Sequence, residues 1–187
     1  MTQIEPEETR GDWERALVQR ACNGDVRAFE RLYREHVGRV YGLCLRMTRD
    51  PSVAEDCTQE TFFNAWKALA GFETRSSLAT WLHRIAVNIA LTKRRKATAV
   101  IESSSSEDDD EAIESDWTLE TPLEVNEIEA AIERLPDGAR DVLVLHAIYG
   151  YSHIEAGQML GVAEGTCKAQ LHRARSLLRK KLGVEVR

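Results

Sequence analysis

A long acidic tract divides this chain into two stretches of helical pattern. Between Ala97 and Leu135 there are 13 acidic residues against the single basic residue Arg134. The serines at 103–106 and the acids at 107–111 are of low complexity, and their like charges repel one another. We therefore predict a flexible, extended linker, which leaves the chain enough length on each side for a small folded unit.

Apolar residues recur at intervals of three or four on both sides of this tract. That spacing predicts helices, and no segment shows a convincing strand pattern. Capping residues mark the starts of the predicted helices, namely Asp25, Asp50 before Pro51, Ser76 or Ser77, Thr121 before Pro122, Asp137, and Ser152 with Glu155 three positions later. The predicted fold class is all-α, with a domain at 1–97, an acidic linker at 98–121 and a second domain at 122–187.

Two stretches carry only positive charge, although the whole chain has a net charge of −6. Residues 74–96 contain six Lys or Arg and no acid, and so do residues 165–181. A polyanion would be attracted to both stretches and repelled by the tract between them. The charge pattern therefore predicts two nucleic-acid contacts, one in each domain.

The second basic stretch lies in a predicted helix-turn-helix. A helix of about nine residues ends at Gly161 and is followed by a longer one from about Glu164 to Leu182, with Gly157 where close helix packing favours a small side chain. One stripe of this helix, which we expect to be buried, consists of Cys167, Leu171, Ala174, Leu178 and Leu182. The basic residues lie on the neighbouring faces and could enter a major groove, although a solvated basic helix would show the same pattern.

The first basic stretch lies in the helix predicted from Ser77. Arg84, Asn88 and Arg95 lie opposite its apolar stripe, and the residues at 93–96 add charge at its end. The polar loop at 71–76 just before this helix could hold an unstacked base. Trp66 and Trp81 could stack on bases, but we expect them to pack in the hydrophobic core.

The helix predicted from Pro51 presents four residues on one outward face. They are two acids, an amide and an aromatic ring: Asp56, Gln59, Glu60 and Phe63. Such a face is more often simply solvated. Asp56 and Glu60 are a weak candidate for a catalytic pair, because no His, Ser or Lys nearby completes a proton relay.

Other kinds of site find no support in the sequence. The five histidines do not cluster at ligand spacing, and the four cysteines lie at or near apolar helical positions, which favours buried free thiols. We predict no metal, no cofactor and no active site. The acidic start does not resemble a signal peptide, and no apolar run approaches the ~18 residues of a membrane span. We expect a cytoplasmic protein.

Several segments together resemble the extracytoplasmic-function (ECF) group of the sigma-70 family of bacterial RNA polymerase sigma factors. The segment AEDCTQETF at 54–62 is similar to the family motif AEDLTQETF. The similarity continues at 66–69, 71–72, 80–88, 135–136, 160–168 and 171–175. Both groups of motifs occur in the family's order and on the expected helices.

The resemblance implies a specificity subunit of RNA polymerase, without catalysis of its own, that binds core polymerase and directs promoter-specific initiation. It implies that Asp56, Gln59, Glu60 and Phe63 contact the polymerase, whose β′ clamp helices and β subunit would be the partners. Contacts to melted −10 DNA would come from Phe72, Arg75, Ser76, Arg84, Asn88, Arg94 and Arg95. Contacts to −35 duplex would come from Glu164, Thr166, Lys168, Gln170, His172, Arg173 and Arg175. An anti-sigma factor is a further expected partner.

Two other functions stay open from the residues alone. A stand-alone helix-turn-helix regulator would bind a palindromic duplex tightly as a dimer, without polymerase. A helical enzyme would show turnover, which the absence of a recognisable site makes a weak alternative.

Overall fold

The computed structural model describes residues 7–73, 76–102 and 125–182, and all regular structure in these ranges is helical. This confirms the predicted all-α fold class. The N-terminal unit contains four α-helices and a short 3₁₀ turn: α1 (Glu7–Cys22), α2 (Val26–Thr48), α3 (Pro51–Ala68), the turn Leu69–Gly71, and α4 (Leu78–Glu102).

The C-terminal unit contains four further helices. They are α5 (Val125–Glu133), α6 (Asp137–Leu143), which continues as a π-helical turn over Val144–Ile148, α7 (His153–Leu160) and α8 (Glu164–Leu182). Helix α8 packs against α5, α6 and α7. In the N-terminal unit α2, α3 and α4 pack on one another, and α1 covers α2.

Most of the predicted caps form. The side chain of Asp25 accepts from the backbone N–H of Ala28, and that of Asp50 accepts from Ser52 and Val53. Ser152 and Glu155 form the reciprocal capping box. The prediction for Asp137 was wrong, because Pro136 precedes the helix and Asp137 is its first residue. Its carboxylate instead faces arginines of both units.

Helix α4 is longer than its predicted domain. It continues through residues 98–102, which belong to the predicted linker, and Thr98 Oγ1 donates to the carbonyl of Arg94 within it. Ala97 and Ala99 favour the helix here, and no Gly or Pro interrupts it. The remainder of the predicted linker lies outside the described residues.

The two units pack directly on each other. Helix α6 packs against α2, and α7 packs against α4, so that buried residues of both units form one continuous hydrophobic core. The four cysteines are free thiols, as predicted. Three of them are buried, whereas Cys22 is half-buried and its Sγ donates to the carbonyl of Leu69 over 3.1 Å.

Candidate nucleic-acid interface

Helix α8 buries the first three residues of the stripe that its periodicity predicts, whereas Leu178 and Leu182 near its end are half-buried. Cys167, Leu171 and Ala174 are buried against the neighbouring helices. Six of the seven residues predicted to contact −35 DNA are exposed on this helix: Glu164, Thr166, Lys168, His172, Arg173 and Arg175. The exception is Gln170, which is half-buried. Helix α8 therefore presents a largely cationic surface, which matches the charge of a DNA backbone.

The turn before α8 is built on two glycines. Gly161 ends α7 in the left-handed conformation, with φ of +70°. Gly157 lies so close to the turn that a Cβ atom there would be 2.7 Å from the carbonyl oxygen of Val162. The backbone N–H of Val162 donates back to the carbonyl of Gly157 over 3.0 Å. The small residue that we inferred at position 157 is thus required by the tight packing of the turn.

Three of the predicted −35 residues already have neighbours within the protein. The amide of Gln170 lies against α6, where its Nε2 would be 3.3 Å from a Cβ added at Gly138, and its Oε1 is buried without a partner. Lys168 pairs with Glu164 over 2.6 Å on the exposed surface. Base contacts by these residues stay predictions, and Gln170 would first have to leave α6.

Helix α4 also exposes the polar face that its sequence predicts. Arg84, Asn88 and Arg95 are exposed, while Leu82 and Ala86 are buried on the opposite side. Before the helix, Phe72 packs on Trp81 with ring centroids 4.9 Å apart. That contact supports the expectation that this tryptophan packs in the protein.

The loop before α4 is only partly described. Ser76 is half-buried, and the hydroxyl of Ser77 accepts from the backbone N–H of Thr80, which confirms a cap at this helix start. Arg75 lies outside the described residues. Its proposed DNA contact therefore stays a prediction.

Arg94 differs from the other basic residues of α4 because it faces the C-terminal unit. Its guanidinium forms two hydrogen bonds with the Asp141 carboxylate, of 3.1 and 2.7 Å, and its Nε lies 3.2 Å from Asp137. The side chain of Asp141 is only 2% exposed, against 26% for Arg94. Burial raises the pKa of Asp141 despite the nearby arginines. Burial acts to lower the pKa of Arg94, but the hydrogen bond and charge of Asp141 outweigh it and raise that pKa overall.

The four predicted polymerase contacts on α3 are all exposed, and we call them the acidic α3 face. Lys93 of α4 reaches over this face, with its Nζ 3.7 Å from Asp56 and 3.5 Å from Glu60. The ring of Phe63 is 58% exposed and carries the ammonium of Lys67 at 4.1 Å. The opposite side of α3 is buried, including Cys57, Thr61 and Ala65.

A shallow groove runs beside the acidic α3 face. It has a volume of about 320 Å³ and lies between α2 and α3. Its lining includes Tyr33 and Tyr41 from α2 and Gln59 from α3. The acidic α3 face therefore combines charge, an exposed aromatic ring and a concave edge, which are features of a protein-binding surface.

Other chemistry is sparse in the described part of the chain. His146 and His153 stack with ring centroids 4.3 Å apart, an arrangement that their sequence spacing did not indicate. Within residues 7–73, 76–102 and 125–182, no three His, Cys, Asp or Glu side chains group in a way that could hold a metal ion. No helix in these ranges combines the length and apolar character needed to cross a membrane.

Sequence reasoning missed the buried charges between the units. Arg140 is fully buried and donates to the carbonyl of Met47 in α2 over 3.1 Å, as well as to Asp137. Its Nε has no partner, and burial lowers the pKa of Arg140. The one available signal was the pair Arg140-Asp141 directly before the apolar run Val142–Leu145, because charged residues are rarely buried unless they are paired.

Comparisons with known proteins agree with this architecture. Residues 32–100 match the family described as Sigma-70 region 2, and residues 126–178 match Sigma-70, region 4. The ECF RNA polymerase sigma factor SigW of Bacillus subtilis (strain 168) is 32% identical over 176 residues, which cover 88% of this chain and 94% of SigW. SigM of Mycobacterium tuberculosis (strain H37Rv) is 34% identical over 164 residues, which cover 86% of this chain and 80% of SigM.

Two solved structures are also similar. One is the sigma factor RpoE in complex with the anti-sigma factor NepR from Bartonella quintana, with a TM-score of 0.67 and 26% identity, covering 86% of this chain and all of RpoE. The other is CnrH in complex with the cytosolic domain of CnrY, with a TM-score of 0.62 and 25% identity, covering 93% of this chain and 99% of CnrH. The chain belongs to the ECF group of the sigma-70 family of RNA polymerase sigma factors.

Proposed function

We propose that this sigma factor binds core RNA polymerase through the acidic α3 face and contacts promoter DNA through α4 and α8. The observation that carries the proposal is the presence of both sigma-70 regions in order, each with its polar helix face exposed. The polymerase then supplies promoter-directed initiation, and this chain supplies the choice of promoter. It acts as a specificity subunit, with no bond made or broken by its own residues.

The acidic α3 face suits a basic helical partner such as the β′ clamp helices. Asp56 and Glu60 supply carboxylates, Gln59 supplies an amide, and Phe63 supplies an exposed ring. Lys93 neutralises the two carboxylates only in part, because its contacts of 3.5 to 3.7 Å are long and partly exposed to solvent. A cationic partner can therefore replace it at little cost.

The two basic helices would contact different forms of promoter DNA. An α-helix with its side chains fills a major groove, and the exposed cations of α8 suit the −35 duplex. Arg84 and Asn88 of α4 suit unpaired −10 bases, which gain contacts that paired bases cannot reach. Each helix neutralises few phosphates and binds weakly alone, but attachment to one polymerase makes the second contact effectively intramolecular.

An anti-sigma factor is the second proposed partner. The RpoE structure contains the anti-sigma factor NepR, and the CnrH structure contains the cytosolic domain of CnrY. We infer that a protein of this kind also restrains this chain.

The double variant Asp56→Ala/Gln59→Ala tests the docking assignment. We expect its affinity for core polymerase to fall by at least about tenfold, since central interface residues often contribute that much. Promoter-directed RNA synthesis should fall in parallel. Asp12→Ala/Gln19→Ala is a matched control, because it removes the same residue types from exposed positions on α1.

Circular dichroism should show unchanged helix content in both variants. Equal polymerase affinity for wild type and Asp56→Ala/Gln59→Ala would show that docking lies elsewhere. A gel shift with the isolated protein distinguishes a sigma factor from a stand-alone helix-turn-helix regulator. The regulator would bind a palindromic duplex tightly without polymerase.

A further inference from the structure

The groove beside the acidic α3 face has walls from two helices. Tyr33, Val37 and Tyr41 recur at every fourth position of α2 and form one wall. Glu55 and Gln59 stand on the other wall, which belongs to α3. The volume of about 320 Å³ is comparable to that of small ligand pockets. The groove is therefore large enough to receive a side chain from outside the protein.

Gly38 keeps this groove open. It lies in the middle of α2, and it contributes to the lining of the groove. Within the described part of the chain, a Cβ atom at position 38 would meet nothing within 4 Å. Because Gly38 lines the groove, any larger side chain at this position would take up space that is now open.

Packing among the described residues does not require a glycine at position 38. An interior glycine weakens a helix relative to alanine, because glycine loses more backbone freedom on folding. Gly42, one turn later, has a reason to be small: a Cβ there would lie 3.2 Å from Arg46 Nη1 and 3.4 Å from Tyr149 OH. Gly38 has no such neighbour, so the space beside it is free for a partner.

The surroundings of the groove indicate the chemistry of that partner. Tyr33 is 39% exposed, and its ring packs edge-on against Phe62 with centroids 4.7 Å apart. An aromatic ring held in this way is typical of binding hot spots. Gln59 belongs both to the groove and to the acidic α3 face, and Glu55 adds a carboxylate at the rim. An aromatic groove rimmed by acids suits an apolar side chain on a helix that also carries Lys or Arg.

We propose that Gly38 is a specificity-determining residue, which leaves a socket for one bulky apolar side chain of the helical partner that binds the acidic α3 face. The carboxylates attract a cationic helix, and the socket selects among such helices, because only one with an apolar side chain in the correct register fills it. The docking surface then extends from α3 onto α2. This inference rests on the proposed function for the identity of the partner, which is core polymerase.

Gly38→Leu fills the socket in the full chain and leaves the acidic α3 face unchanged. Leucine is a good helix former and its Cβ meets no atom of the protein, so Tm should stay equal or rise. Affinity for core polymerase should fall by at least about tenfold, because overpacking a close contact typically costs enough for such a change. Gly38→Ala should likewise keep or raise Tm, with a smaller loss of affinity. A residue with a merely structural role would not change stability and affinity in opposite directions.

Gly11→Leu is the matched control. Gly11 also occupies an exposed helical position where a Cβ would meet nothing within 4 Å, but it does not line the groove. This variant should keep or raise Tm and bind core polymerase as the wild type does. Circular dichroism checks the helix content of all variants, and G38A decides the matter if G38L does not fold.

Wild-type polymerase affinity in Gly38→Leu would overturn the socket. Parallel losses of Tm and affinity in both variants at position 38 would also overturn it, because the glycine would then serve the fold. The double variant Asp56→Ala/Gln59→Ala separates this inference from the proposed function. If only the double variant loses affinity, docking on α3 stands and the socket is refuted. If only Gly38→Leu loses affinity, the socket stands and the proposed role of the acidic α3 face is refuted.

Discussion

Replacing Gly157 by alanine tests whether the helix-turn-helix turn is as tight as its geometry indicates. The new Cβ would lie 2.7 Å from the Val162 carbonyl oxygen and 3.5 Å from Cys167 Sγ. The first distance is shorter than such contacts allow, and the obstacle is backbone, which cannot rotate aside. Either α7 and the turn separate, or the start of α8 shifts.

The expected magnitude follows from two opposing effects. Alanine is preferred to glycine inside a helix by about 0.5–1 kcal/mol. Overpacking a tight contact typically costs about 1–3 kcal/mol. The overpacking effect is larger, because Val162 is anchored to Gly157 by its own hydrogen bond. We therefore expect Gly157→Ala to lower the free energy of unfolding by about 1–2 kcal/mol and Tm by roughly 2–8 °C.

Thermal and urea unfolding, followed by circular dichroism, measure this change. Gly165→Ala is the matched control, since a Cβ at position 165 would meet nothing within 4 Å. It should leave stability unchanged or raise it by up to about 1 kcal/mol. If Gly157→Ala is as stable as Gly165→Ala, the turn is not under the steric constraint that we infer.

Two further predictions concern stability. Burial, with the charges of His36 and Arg39, lowers the pKa of His83 to about 4 from 6.5. The contribution of neutral His83 to the free energy of unfolding is therefore fully present above pH 6.5 and is lost as pH falls toward 4. At pH 5 the loss is about 2 kcal/mol. Urea unfolding should show this loss in the wild type but not in His83→Gln, and equal pH profiles would refute it. Asp50→Ala removes the cap of two backbone N–H groups and should cost about 1 kcal/mol. Asp50→Asn should keep most of that stability in thermal unfolding, and equal Tm values for all three proteins would contradict the capping role.

Much of the candidate site could be predicted because its signals are local. The burial of Cys167 and Leu171 and the exposure of Arg84 and Asn88 follow from helical periodicity. The capping box at Ser152 is likewise a pattern of four consecutive residues. Each depends on neighbours within one or two turns, so a single helix is sufficient to specify it.

Arg94 and Asp137 show where such reasoning ends. In the sequence, Arg94 lies within a run of four basic residues, and nothing distinguishes it from Arg95. In the structure, Arg95 is exposed while Arg94 binds a carboxylate 47 positions away. Asp137 has the local features of a helix cap, but its position between arginines of both units gives its carboxylate other partners.

The sequence by itself determined the helices, most of their caps, the buried stripes and the family of this protein. Only the tertiary structure decided that the two units pack together, that Lys93 covers the acidic α3 face, and that Asp141 holds Arg94. Helical patterns repeat every three or four residues and can therefore be recognised from the sequence alone. A charge pair across two units depends on how whole helices pack, and the free energy that selects that packing is distributed over many residues far apart in the sequence.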